Sequence, residues 1–208
     1  MGVRRTYKDD LARAYDADVG RRGAMTPAKW RTDITDTFAA DATANGISKV
    51  IELGCGTGQL ASRLLERGLD VMAIDLSPAN VSATRERGLD AHVADFASLP
   101  FPDDTFEAGF AMNSLLHVPS AELSAVLTEI ARVLRPGSPL VVVVWGGTDQ
   151  QGPIDDEWLD PPRYFRTYTD EGLLALDTPG FGFTSFDAID VSEGNHDLHS
   201  QILTLEAL

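Results

Sequence analysis

Cysteine is almost absent. Cys55 stands alone among 208 residues, so no disulfide can form within the chain. A reducing, cytoplasmic setting is expected. Long hydrophobic runs are missing too. The longest, Leu140 to Trp145, falls far short of the roughly 20 residues a membrane helix needs. The first residues carry Arg4, Arg5, Lys8, Asp9 and Asp10 without the apolar core of a signal peptide. Basic residues are scarce, 17 Lys and Arg against 32 Asp and Glu, for a net charge of −15. Nucleic-acid binders carry a basic face, so no nucleic-acid partner is expected. Arg4, Arg5, Arg21 and Arg22 cluster near the start and read as a solvated terminus. No H-E-x-x-H or H-x-x-E-H spacing and no G-x-S-x-G elbow occurs, so neither a metal site nor a serine nucleophile is expected.

What the chain does have is Val50-Ile51-Glu52-Leu53-Gly54-Cys55-Gly56-Thr57-Gly58. A short apolar run reads as a buried strand, three alternate glycines as a turn, and Gln59 to Arg67 as a helix. Strand, glycine turn and helix form a nucleotide-binding layout, because glycine lets the backbone approach a ligand closely. The spacing is G-x-G-x-G, with Gln59 where a dinucleotide fingerprint places its third glycine. A Walker A loop needs Lys-Ser/Thr next, and Gln59-Leu60 stands there instead. Cys55, inside the loop, reads as a small loop residue and not a nucleophile.

Around this loop the pattern predicts a helix over residues 7–18, broken by Gly20 and Gly23. A second follows from Pro27 to Ala44, with Trp30, Ile34 and Phe38 on one face. These helices either cap a site or simply cover the sheet. Strands are predicted at 49–53, 69–74, 89–94, 106–112 and 140–145, alternating with helices. Ser77-Pro78 opens one helix and Ser120 caps another. The alternation implies a parallel sheet with helices on both faces. Residues 146–168, rich in Gly, Pro and Asp, read as a long loop. A short helix reaches Asp177. Strands at 183–191 and 198–205, joined by Ser192-Glu-Gly-Asn, suggest an antiparallel hairpin. One domain spans 1–208: a helical cap (1–46), a cofactor-binding core (47–145), and a C-terminal loop, helix and hairpin (146–208).

Site candidates sit at strand ends, where open α/β sheets bind ligands. Asp75 lies 19 residues after Gly56 and can accept both ribose hydroxyls of a nucleoside. Asp95 can accept from an adenine amino group, with Leu76 and Phe96 as its apolar bed. Asn113 to His117 follows the strand expected across the switch point, beside a ligand's reactive end. His117 is the best placed of four histidines to act as a base. A structural or substrate-contact role fits it equally; His92, His196 and His199 lie elsewhere. Tyr7, Tyr15, Trp30, Trp145, Trp158 and Tyr164 could line an acceptor pocket, or pack a core.

Together these motifs resemble the class I S-adenosylmethionine-dependent methyltransferases, in particular the small-molecule ubiquinone and menaquinone branch. Val50–Gly58 is similar to the first motif of that family and Asp75 to its ribose-binding acid. Asp95-Phe96-Ala-Ser-Leu-Pro-Phe-Pro-Asp-Asp-Thr-Phe106 resembles D-x-x-x-L-P-F-x-D-x-x-F, Arg135-Pro136-Gly137 the R-P-G motif, and Tyr15-Asp16 an N-terminal A-Y-D segment. The resemblance implies a Rossmann-like, seven-stranded, mostly parallel sheet with a C-terminal antiparallel hairpin. It implies S-adenosyl-L-methionine as cofactor, with Glu52, Gly54 and Gly56 around its methionine part and Cys55 among the cofactor-binding residues. Tyr15, Asp75, Leu76, Asp95, Phe96 and Asn113 complete the cofactor site. The implied reaction is methyl transfer to O, N or C of a small aromatic or apolar molecule, of the kind secondary metabolism uses. The rival readings are a non-catalytic cofactor-binding module and a nicotinamide-dependent oxidoreductase. Two departures stand: Ser138-Pro139 after the R-P-G motif, and Leu176-Asp-Thr-Pro-Gly180-Phe181, which interrupts a helix that usually runs further.

Overall fold

The computed structural model describes residues 6–156, 159–191 and 199–208. Arg4, Arg5, Trp158, His196 and the turn at Ser192–Asn195 lie outside the described residues.

Strand β1 (Lys49–Leu53) is flanked by β2 (Asp70–Asp75) and β4 (Ala108–Met112), with β3 (Asp90–Val93) beyond β2. On the other side, β5 (Pro139–Gly146) pairs parallel to β4 and antiparallel to β9 (His199–Ala207). Strand β8 (Phe181–Ile189) closes the edge by pairing antiparallel to β9. The order of the seven strands is β3-β2-β1-β4-β5-β9-β8. The chain runs outward from β1 and then returns across it to β4. That reversal opens a crevice at the carboxyl ends of β1, β2 and β4.

Side-chain alternation along each strand feeds two cores, one on each face. From β1, Ile51 and Leu53 join Leu123, Val126, Leu127 and Ile130 of helix α5 (Ser120–Val133). Val50 turns the other way, with Phe110 of β4, toward Ile34 and Phe38 of helix α2 (Lys29–Ala44) and Leu64 of helix α3 (Gln59–Glu66). Helix α4 (Pro78–Glu86) links β2 to β3, with Ser77 accepting from the Asn80 N–H as its cap.

Four expectations fail. Helix α1 (Tyr7–Ala24) runs straight through Gly20 and Gly23. Each glycine costs about 1 kcal/mol against alanine, but the helix is held at both ends. Thr6 and Asp9 form a capping box at its start. At its end, Gln59 Nε2 donates to the carbonyls of Gly23 and Met25, supplying donors that the end of the helix lacks. Second, residues 146–168 are not a loop. Strands β6 (Gln150–Asp156) and β7 (Leu159–Thr167) make a separate two-stranded sheet. A lone hairpin is marginal in water. This one leans on α1 and on the 3-10 turn Leu115–His117, tertiary partners that its Gly, Pro and Asp content does not announce. Third, Ser120 does not cap α5. Pro119 holds the cap position, and the Ser120 hydroxyl donates to Gln151 Oε1 on β6 instead. Fourth, helix α6 (Asp170–Leu174), capped by Thr169, stops short of Asp177.

Candidate active site

The crevice opens into a cavity of about 700 Å³, within the roughly 300–1,000 Å³ range of small-molecule sites. The glycine loop forms its floor. Gly54 has φ +82°, and a Cβ there would stand 2.3 Å from Ser114 Cβ. Ser114 in turn donates to the Leu53 carbonyl at 2.6 Å, locking the tips of β1 and β4 together. Gly56 has φ +54°, and a Cβ there would meet nothing within 4 Å, so bare backbone faces open space.

Asp75 sits at the tip of β2. Its carboxylate accepts from Gly56 N and Ser77 N, both at 2.8 Å, and from Asn80 Nδ2 at 3.3 Å. Burial raises its pKa, and the donated N–H bonds pull against that. Glu52 is buried at 2% exposure, and its Oε2 has no hydrogen-bond partner. Burial, and then the Asp75 charge, push its carboxyl up to about 8. Both side-chain polar atoms of Asn113 are also buried and without partners. Asn113 holds φ +53°, strained for a residue with a Cβ. Buried polar groups left unpaired cost about 1–3 kcal/mol each. A ligand carrying a cationic donor near Glu52 and polar atoms near Asn113 would satisfy them.

Helix α1 lies across the cavity as a strap, tied at several points. Tyr7 donates to Glu122 at 2.9 Å. Lys8 Nζ reaches Asp95 Oδ2 at 2.8 Å and Glu122 Oε2 at 3.3 Å. Asp95 Oδ1 accepts from its own turn, Ala97 N at 2.9 Å. Asp16 accepts from Ser77 Oγ at 2.5 Å and Ala79 N at 3.0 Å, adding a second cap to α4. Leu76 and Phe96 line the cavity between Asp75 and Asp95.

His117 is buried at 6% exposure. Its Nδ1 lies 2.8 Å from the Tyr164 carbonyl, which can only accept, so Nδ1 carries the proton. Its Nε2 lone pair then receives the Tyr15 hydroxyl at 2.8 Å. Arg163 donates to the same hydroxyl oxygen at 2.8 Å. Burial, with the Arg163 and Arg22 charges behind it, lowers the His117 pKa to about 3. The ring is neutral at physiological pH, and any proton it takes from the cavity must pass through Tyr15.

Of the expected aromatic lining, Tyr7, Tyr15, Trp30 and Trp145 face the cavity. Tyr164 is outside the lining and contributes its carbonyl to His117. Cys55 is buried, and burial raises its thiol pKa, the reverse of what a nucleophile needs. Among the described residues no cluster of metal ligands occurs. Sequence reasoning missed Arg22, Arg31, Arg163 and Phe165, all in the lining. Arg163 and Phe165 arrive on a hairpin read as a loop. A glutamine in the third glycine's place was the one signal pointing to the α1 tie.

The sheet order and a glycine loop facing two acidic strand tips define the fold of the class I methyltransferases. Residues 50–137 match the family model described as a methyltransferase domain. Demethylmenaquinone methyltransferase of Corynebacterium kroppenstedtii is 33% identical over 138 residues, 64% of this chain and 58% of that protein. Among solved structures, the [4+2]-cyclase SpnF shares the fold with a TM-score of 0.77 at 24% identity, covering 98% of this chain and 97% of that one. The Burkholderia thailandensis 1,6-didemethyltoxoflavin-N1-methyltransferase, solved with S-adenosylhomocysteine, gives 0.69 at 18% identity, over 100% and 93%. The chain spans less than two thirds of the length of the curated relatives described, 28% of a Gibberella zeae sterol 24-C-methyltransferase and 58% of the Corynebacterium enzyme. Over residues 50–137 the chain is similar to a methyltransferase domain, and its fold is that of the class I S-adenosylmethionine-dependent methyltransferases. Among the described residues no helix is long and apolar enough to cross a membrane.

Proposed function

We propose that this chain binds S-adenosyl-L-methionine and directs transfer of its methyl group to an O, N or C atom of a small molecule. The observation that carries the reading is the unpartnered Glu52 Oε2 near the bare backbone at Gly56. An unpaired buried acid fits the ammonium of the cofactor's methionine part, and the open backbone fits close passage of the ligand. Asp75 then takes the ribose hydroxyls, and Asp95, Leu76 and Phe96 the adenine once Lys8 gives up one carboxylate oxygen. Asn113 and Tyr15 close the reactive end.

The bound cofactor supplies an electrophilic methyl carbon. The chain contributes placement, which for an aligned displacement is worth about 7–11 kcal/mol. The hairpin and α1 exclude water from the cavity. Where the acceptor must lose a proton, the Tyr15–His117 pair is the candidate route, with Tyr15 facing the cavity and His117 Nε2 behind it; the low His117 pKa confines that route to a proton that turns acidic as the methyl group arrives. Three segments, 1–46, 47–145 and 146–208, act as one domain in this reading. Its place is the cytoplasm, which the lone cysteine supports, and the net charge of −15 speaks against a nucleic-acid acceptor. Menaquinone, toxoflavin and sterol methyltransferases among the relatives support a small apolar or aromatic acceptor.

Calorimetry with S-adenosylhomocysteine tests the reading. Binding by the intact protein is expected, weakened at least tenfold in Asp75→Ala. No binding, or an affinity untouched by that change, overturns it. Release of S-adenosylhomocysteine with a methylated acceptor separates transfer from a non-catalytic binding module. It also separates transfer from ring closure of the kind the cyclase's name describes.

A further inference from the structure

The cavity has a charge gradient that the cofactor does not use up. Acids cluster at the tips of β1, β2 and β3: Glu52, Asp75 and Asp95. The opposite lining carries Arg21, Arg22, Arg31 and Arg163, in a chain whose net charge is −15. Most of these cations are engaged. Asp18 takes Arg21 at 2.6 Å and Arg22 at 2.9 Å, and Arg163 holds the Tyr15 hydroxyl. Arg31 differs. Burial, and then the neighbouring Arg22 charge, lower its pKa, and no described carboxylate acts on it. Its guanidinium lies 5.0 Å from the Trp30 ring, and Trp30 meets Trp145 edge-on at 5.5 Å. Trp145 stands near the carboxyl end of β5, on the far side of β4 from the nucleoside crevice.

The backbone agrees with the side chain. Arg31 is in the first turn of α2, whose N-cap is Ala28, with no side-chain cap and no acidic residue in that turn. Pro27 and Ala28 line the cavity as well. The positive end of a sixteen-residue helix therefore meets the cavity unneutralised. A guanidinium offers paired donors suited to a carboxylate. The tryptophan pair beside it supplies a flat apolar wall.

We propose that the methyl acceptor is an anionic aromatic molecule whose carboxylate is received by Arg31 and the start of α2, with its ring against Trp30 and Trp145. This rests on the methyl-transfer reading. A carboxylate could also come from the cofactor's own amino-acid end, and the test separates the two sources. Protein saturated with S-adenosylhomocysteine is titrated, by tryptophan fluorescence, with a panel of hydroxylated benzoates and naphthoates, each beside its methyl ester. At least one acid is expected to bind about tenfold more tightly than its ester, the scale of one charge-assisted hydrogen bond. Arg31→Gln removes that preference and leaves S-adenosylhomocysteine affinity within about twofold. Arg31→Lys, keeping the charge, retains part of it. Equal binding of acids and esters, or binding of neither, overturns the proposal. So does a tenfold loss of S-adenosylhomocysteine affinity in Arg31→Gln, which assigns Arg31 to the cofactor. If the unaltered protein fails to bind S-adenosylhomocysteine at all, the methyl-transfer reading falls first and this proposal with it. If it binds and no acid is preferred, this proposal falls alone.

Discussion

Glu52 concentrates the tension of the free site in one side chain. Burial moves its carboxyl from the ordinary 4.5 to about 8, so the folded chain prefers it protonated. An acid whose folded pKa lies above its unfolded value favours the fold fully below about 4.5, and that contribution is lost as pH rises toward 8. Glu52→Gln is therefore expected to raise the melting temperature of the free protein at pH 8. The gain is roughly 4–8 °C, the equivalent of about 2 kcal/mol, with little change at pH 5. The same change weakens S-adenosylhomocysteine, because the amide cannot pair with an ammonium. Melting curves at the two pH values, with calorimetry alongside, check both halves. A variant less stable than the parent at pH 8 would count against a costly buried acid. His117 shows what residue type leaves open. A histidine near a reactive end suggests a base, and in this ring Nδ1 is engaged by the Tyr164 carbonyl and Nε2 by the Tyr15 hydroxyl. The group presented to the cavity is the Tyr15 phenol.

At the scale of elements, one residue ties the glycine loop to the strap above it. Gln59 begins α3 and donates back to the last carbonyls of α1. Gln59→Ala is expected to fray the last turn of α1 and leave the sheet intact. Hydrogen exchange should show faster amides at residues 22–25, with β1 and β4 unchanged; uniform loosening would mean that the tie supports the whole fold. The R-P-G motif also finds its meaning here. Arg135 pairs with Glu107 at 2.5 Å, and Glu107 accepts from Ser48 N and Lys49 N. The motif thus fastens β4 and β5 to the start of β1, at the amino ends of the strands, away from the cavity. The β6–β7 hairpin is the opposite case. Ser120 and Tyr164 both donate to Gln151 Oε1, and His117 Nδ1 donates to the Tyr164 carbonyl, contacts that no single helix or strand contains.

Over the whole molecule, the two cores decide whether the site exists at all. Phe110 is fully buried in the middle of the sheet, its ring 4.9 Å from Phe38 on α2. Phe110→Ala is expected to cost about 3–5 kcal/mol, read as a lower urea midpoint; a loss under 1 kcal/mol would mean that α2 closes the gap. The sequence by itself determined the β–α alternation, the glycine loop and the acids Glu52, Asp75 and Asp95. Each depends on local order: short apolar runs, glycines where φ turns positive, and an acid at or beside a strand's carboxyl end. Tertiary structure alone decided the rest. It inserted β9 of the expected hairpin between β5 and β8, carried α1 through two glycines, made a hairpin of residues 150–167, and set Arg31 beside Trp30 and Trp145. Those outcomes depend on which surfaces bury one another and which donors find acceptors across the fold. No window of neighbouring residues encodes that.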